Sequence, residues 1–320
     1  MRITSMFGAV VVMTAIAGCD EPRAGDGACG GDEVEARSAQ VNGALLNGAL
    51  LNGALLNGAL LNGALLNGPN GPADQIQLKK VNVKGEGAAD DARLEGSMLV
   101  VTSNQGEELS GVDLDDAKLH FEVKEGGTTH QKLLKILDVA QLAPGSDVWL
   151  FDVSLKVDSG GWGPLCLDGA GEPTQAILLG DVWNPGTGGR IPPAVSSVTF
   201  ACRDTALAKC VEWGYKPWLA DLREVHQACT RLVRADYCGD GVSHTEQGTV
   251  IHVLDQLGIQ NVDPDHQFVV EAEWGPNGAV CLNANNMRLG PQPLSCQLPA
   301  CGTPFASGGL LQSGKIVGAL

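Results

Sequence analysis

The sequence predicts an α+β fold: mainly antiparallel β, disulfide-rich, with one principal amphipathic helix and a short repeat, β-solenoid-like or low-complexity, on its N-terminal side. Three observations carry this. Short runs of strand composition, bounded by Gly, Pro, Asn and Asp, recur from Ile76 to Leu282. One stretch, Pro217 to Arg234, places its apolar residues at helical spacing. Eight cysteines, Cys166, Cys202, Cys210, Cys229, Cys238, Cys281, Cys296 and Cys301, form an even set of the kind exported domains use as a disulfide framework.

The chain has 320 residues, room for one large domain or two ordinary ones, and 44% of them are hydrophobic, enough for a core. Its 43 glycines predict many turns. A net charge of −16 would repel a polyanion and argues against nucleic acid as a partner.

Residues 1–18 read as a lipoprotein signal peptide. Arg2 supplies the positive end and Phe7 to Ile16 an apolar run of signal length. Ile16-Ala17-Gly18-Cys19 resembles a bacterial lipobox, in which Cys19 becomes an acylated N-terminus. An ordinary signal peptide or a short membrane anchor is the alternative. No later stretch reaches the ~18 apolar residues of a spanning helix. The expectation is an extracytoplasmic protein, held at the cell envelope through its N-terminal lipid.

Residues 19–41 are acidic, glycine-rich and aperiodic, a flexible tether in which Cys29 stays outside the even set. Within 42–72, Ala44-Leu45-Leu46-Asn47-Gly48 recurs at 49, 54, 59 and 64. A period of five fits neither helix nor strand, and each Asn-Gly is a turn signal. The pattern resembles the pentapeptide-repeat family, whose small residue and following leucine point into a square β-helix. Its register returns at 92–99 and 112–119. Leu45 and its successors depart from the family by adding a second apolar residue per unit. Three readings stay open: a short solenoid packed on the next segment, a low-complexity spacer, or self-association through leucine.

Residues 73–159 form a β-rich segment, with strands predicted at 76–83, 97–102, 118–123 and 148–157. Residues 133–142 suit strand or short helix equally. Further strands are predicted at 176–183, 198–202, 249–254, 268–274 and 279–282. In the run 268–274, Phe268, Val270, Ala272 and Trp274 alternate with Glu271 and Glu273, the pattern of a half-buried strand. Residues 302–320 are a glycine-rich tail beyond the last cysteine.

In the helix, Leu219, Leu222, Val225, Cys229, Leu232 and Val233 share one face. Arg223, Glu224, Gln227, Arg231 and Arg234 occupy the opposite face, predicted to meet solvent. Pro217 suits the first helical position, and Gly239 and Gly241 suit the exit turn. Cys229 therefore faces the core and is expected to fasten the helix to the sheet behind it.

Candidate chemistry is sparse. His226, Cys229, Cys238 and His244 could be drawn as a zinc site, but an exported chain with paired cysteines favours disulfides, which also leave no thiolate for a nucleophile. Asp236, Asp240 and Glu246 lack calcium-loop spacing, and Asp236 is better placed to accept turn hydrogen bonds or pair with Arg234. Gly309 to Lys315 mimics a phosphate loop, but Ile316 stands where Ser or Thr must bind metal, and the chain after it is too short for a helix. No catalytic residue, metal or cofactor is assigned. Trp213, Tyr215 and Trp218 would stack on sugar rings if exposed and fill the core if buried, the preferred reading.

The segment from about 160 to 301 resembles the ADYC domain, a family of bacterial exported lipoproteins. The matching words are Leu165-Cys166, Phe200-Ala201-Cys202, the run from Lys209 to Trp218, His226-Gln227-Ala228-Cys229, and Arg234 to Gly241 with Ala235-Asp236-Tyr237-Cys238 at its centre. Gly248-Thr249 and Glu271-Ala272-Glu273-Trp274 match as well. A leucine-rich repeat ahead of the domain is similar to the family's pattern. The resemblance implies location and architecture, and carries no catalytic residue. The expectation is a lipid-anchored, non-catalytic module that binds a protein or a cell-wall glycan or serves a structural role, with an envelope hydrolase as the alternative.

Overall fold

The computed structural model describes residues 39–41, 64–65, 76–89, 91–125, 128–157, 160–168, 171–184, 186–191, 197–246, 248–262 and 264–317. The signal peptide, Cys19, Cys29 and all of the repeat except Ala64–Leu65 lie outside them.

The first layer is a closed ladder. Ile76–Val83 pairs with Lys118–Glu125, that strand with Thr128–Gln141, and that one with Trp149–Lys156. Trp149–Lys156 pairs with Ala176–Leu179, which pairs with Ser197–Cys202, every pairing so far being antiparallel. Ala64–Leu65 sits antiparallel to Ser197–Cys202 and parallel to Ile76–Val83, so the ladder returns to its start. A sheet that closes leaves few free edges. Leu78, Val81, Leu119, Phe121, Leu134, Ile136, Phe151, Val153, Leu178 and Phe200 join in one core, where Phe121 meets Phe200 edge-on at 6.5 Å. Residues 133–142, ambiguous in sequence, thus resolve as part of a long strand.

Ala176–Leu179 is buried throughout because its other face is covered as well. Ile177 and Leu179 pack with Ala201 against Leu207, Ala208 and Val211 of helix α1, Ala206–Glu212. The sequence reading missed α1. Its seven residues are too few to show a helical period.

The second layer is an antiparallel five-stranded sheet in the order Ala39–Val41, Val250–Asp255, Leu311–Ile316, Phe268–Gly275, Gly278–Leu282. Helix α2, Arg223–Arg234, brings Val225, Cys229, Leu232 and Val233 into a core with Ile251, Val253, Trp274 and Leu311.

The structure corrects several expectations. The presumed tail supplies the central strand of the second sheet. Gly314 lets it fit, since a Cβ there would lie 2.7 Å from the Phe268 ring. Residues 91–102 are a hairpin and 111–114 a 3-10 turn, so the pentapeptide register at 92–99 and 112–119 forms no β-helical coil. Strands from both sides of residue 160 share the barrel, and the segments 73–159 and 160–301 are not separate bodies. Helix α2 begins at Arg223 rather than at Pro217, leaving Leu219 exposed in the preceding turns.

All eight cysteines are paired: Cys166 with Cys202, Cys210 with Cys229, Cys238 with Cys296 and Cys281 with Cys301. Cys229 faces the core as expected, but its bond fastens α2 to α1 rather than to a sheet. Four such bonds suit an oxidising, extracytoplasmic setting. Among the described residues no helix is long and apolar enough to cross a membrane.

Candidate functional site

Two places on this scaffold gather polar side chains: the buried surroundings of residues 235–238, and a surface groove beside Trp218.

Ala235 ends α2 in the left-handed conformation, at φ 50°, with its N–H directed to the carbonyls of Arg231 and Leu232. That turn sends Asp236 back under the helix. Asp236 is fully buried and pairs with Arg231, whose guanidinium also reaches the carbonyls of Thr187 and Pro276. Gly241 N donates to the same carboxylate at 3.0 Å, and Arg234 NH1 lies 3.8 Å away. The polar helix face is therefore only partly a solvent face, with Glu224 exposed on it. Arg231 and Gln227 are buried, Gln227 accepting from the Trp183 indole and donating to Gly188 O. Helical periodicity located the correct apolar stripe and could not show that a hairpin at 182–191 covers the other side.

Tyr237 stacks on Trp274 with ring centroids 5.2 Å apart and donates its hydroxyl to Glu271 at 2.6 Å. Burial, then the neighbouring Glu271 charge, pushes the Tyr237 hydroxyl far above its ordinary range. Arg288 binds Glu271 through Nε and NH2, its own backbone N–H binds it too, and Ser313 Oγ donates at 2.7 Å. Burial pushes the Glu271 carboxyl up, but Arg288 and the two hydroxyls outweigh it and hold the carboxyl below its usual value. Glu273 is buried as well, accepting from Phe305 N and Gln312 Nε2. The expectation of a half-buried strand fails here for two reasons. A bulge between Val270 and Ala272 breaks the alternation, and the segment after Cys301 covers the far face.

The glycines after the motif are fixed by space. At Gly239 a Cβ would fall 1.9 Å from Asn277 O, and at Gly241 2.0 Å from Gly186 O, while φ is 68° and 87°. No other residue fits either place without moving backbone. Cys238 then ties the turn to Cys296.

Of the residues considered for zinc, Cys229 and Cys238 belong to different disulfides. His226 is fully buried, with Nε2 3.1 Å from Leu207 O, and burial lowers its pKa to about 4. His244 contacts Gln292 at 3.2 Å. Asp240 engages Ser295 and Val242 N, apart from Asp236.

The aromatic trio divides. Tyr215 is buried, donating to Asp255 at 2.7 Å, and Trp213 is nearly buried, so neither offers a face to a ligand. Trp218 is half-buried at a groove of about 420 Å³ lined by Leu94, Gly96, Asp181, Pro217 and Arg223 among others. Its indole N–H donates to Asp147 at 3.1 Å, and Lys216 holds the other oxygen of that carboxylate at 2.5 Å. Gly96, at φ 63°, borders the indole, where a Cβ would make ordinary contact at 3.4 Å from Trp218 Nε1. On the groove's other side Arg223 grips both oxygens of the buried Asp181, and Arg190 lies 3.9 Å from it. The groove thus offers an indole edge, a proline, an aliphatic side chain and a fixed ion pair. The sequence named Trp218, but nothing in it pointed to Asp181.

A family model described as the ADYC domain matches residues 111–288, more than half of the chain. The match takes in barrel strands well before residue 160 and ends ahead of Cys296 and Cys301. No curated protein and no solved structure matches.

Proposed function

The chain belongs to the ADYC domain family, and on that premise we propose that it is a non-catalytic envelope module, anchored by a lipid on Cys19, that binds cell-wall glycan at the Trp218 groove. The observation that carries the reading is the pairing of a half-buried indole with the fixed Arg223–Asp181 ion pair across one groove. An aromatic surface beside preset donors and acceptors is suited to a sugar ring, whose faces are apolar and whose rim is hydroxylated. Asp181 and Arg223 already satisfy each other, which favours binding over proton transfer. The eight paired cysteines suit residence outside the cytoplasm.

Co-sedimentation of the oxidised chain with insoluble cell-wall glycan tests the reading. The parent should sediment and Trp218→Ala, confirmed as folded by circular dichroism, should lose at least about tenfold in affinity, a loss of roughly 1.4 kcal/mol. Equal sedimentation of the two would contradict it. Release of soluble sugar fragments by the parent would replace it with the hydrolase. Mass spectrometry of the mature N-terminus tests the anchor: acylated Cys19 is expected, and a free amino group at Asp20 or later would refute it.

A further inference from the structure

A second groove, of about 370 Å³, opens on the outer face of the barrel between Ile76–Val83, Lys118–Glu125 and Thr128–Gln141. Asn82, Lys84, Asp116, Lys118 and Lys135 line it. Seven of the chain's 21 basic residues, Lys79, Lys80, Lys84, Lys118, Lys124, Lys132 and Lys135, lie on these strands or one residue beyond. Lys84, Lys118 and Lys135 meet at the groove around the one carboxylate of Asp116, while Lys132 stands opposite the buried Phe121 on the other face of the strands.

The register makes the concentration costly. Lys118 stands directly opposite Lys135. Like charges directly opposite each other on neighbouring strands destabilise a sheet unless a counter-charge sits between them. Asp116 supplies only part of it. Its two oxygens are held by Lys84 at 3.0 Å and Lys135 at 2.6 Å, and those hydrogen bonds, Lys135 first, lower its pKa to about 2. Its backbone sits at φ 65°, a conformation that aspartate tolerates better than most residues. Lys118 is exposed and, among the described residues, pairs with no carboxylate. Two ammonium groups already grip one pair of anionic oxygens, and a third is free at the same groove.

We propose that this groove binds a phosphate-bearing anion, with Lys118 as the free donor and Asp116 as the resident carboxylate that a ligand competes with for Lys84 and Lys135. The ligand's phosphate replaces the counter-charge that the register lacks. Phosphate on a membrane headgroup and phosphate on a soluble molecule share this chemistry. The groove shares no lining residue with the one beside Trp218, and the two readings stand or fall separately.

The test uses the oxidised chain at low salt, with two probes. One is inorganic phosphate followed by NMR shifts of the lysine side chains. The other is sedimentation with vesicles of phosphatidylglycerol in phosphatidylcholine, against phosphatidylcholine alone. Saturable shifts with phosphate but no gain on anionic vesicles assign the site to a soluble phosphate, and the converse assigns it to a headgroup. In either case Lys118→Gln should weaken binding about fivefold, the loss of one lysine contact. Asp116→Asn should tighten it, because it frees Lys84 and Lys135. Trp218→Ala should leave it unchanged. A merely structural role for Asp116 predicts no tightening. Failure of both probes, or tight binding that neither Lys118→Gln nor Asp116→Asn alters, overturns the proposal.

Discussion

Replacing Arg288 with methionine tests how the buried motif holds helix α2 to the second sheet. Arg288 and Glu271 are both about 1% exposed, and the arginine makes three side-chain contacts to that carboxylate. It also donates to Leu232 O at 2.8 Å and lies 5.9 Å from the centre of the Trp274 ring. Methionine keeps most of the apolar stem, so the loss is of charge rather than volume. A buried carboxylate stripped of its partner costs about 3–5 kcal/mol, against a total stability of about 5–15 kcal/mol for a domain. The lost bond to Leu232 belongs to the same rearrangement and should not be added. Urea unfolding of the oxidised chain at pH 7, followed by tryptophan fluorescence, reads the change. Adding Glu271→Gln to Arg288→Met removes the stranded charge and should recover part of the stability, so the double variant loses less than the two singles summed. A loss under about 1 kcal/mol for Arg288→Met, or strict additivity of the pair, would refute the view that this ion pair anchors the motif.

Three further outcomes follow from burial. Cys229→Ser opens the bond to Cys210, which closes a loop of 19 residues, and should cost about 3 kcal/mol. Arg231→Ser should cost a comparable amount rather than little, because Asp236 is left buried with Arg234 at 3.8 Å; a melting temperature equal to the parent's would put Arg231 back in solvent. His226 makes stability depend on pH. Its folded pKa of about 4 lies below its ordinary 6.5, so the unfolded chain binds the proton first and stability falls as pH drops from 6.5 towards 4. The contribution at pH 5 is about 2 kcal/mol. Urea midpoints at pH 7 and pH 5 should show that fall in the parent and a smaller one in His226→Gln; equal falls would exclude His226 as the cause.

The β-rich architecture was legible because most strands carry their own composition and turn signals. Phe200 and Val198 point one way and Ala201 the other on a strand whose two faces are both covered. The sequence could not show closure. Ala64–Leu65 belongs to a repeat whose units are identical, and nothing local distinguishes the pair that enters the barrel. Leu311–Ile316 was hidden for a related reason: Gln312, Ser313 and Gly314 are polar or small, and they are buried because Trp274, Glu271 and Glu273 bond to the first two and Phe268 and Val269 crowd the third. Long-range ion pairs were the least visible part. Glu271 meets Arg288 across 17 positions and Asp181 meets Arg223 across 42, separations no periodicity encodes. The core-facing Cys229 and the turn glycines Gly239 and Gly241 were readable because each is set within a few residues of α2, whereas Asp236, expected to pair with Arg234, is held mainly by Arg231, which helical periodicity places in solvent.

The central claim is that four disulfides staple the parts of the fold: one within the barrel, one between α1 and α2, and two around the second sheet, with Cys238 joined to Cys296 directly after Tyr237. Peptide mapping of the oxidised chain without reduction tests it most directly. It should recover four linked peptide pairs, Cys166 with Cys202, Cys210 with Cys229, Cys238 with Cys296 and Cys281 with Cys301. A peptide linking Cys229 to Cys238, or a free thiol at any of the eight, would contradict it.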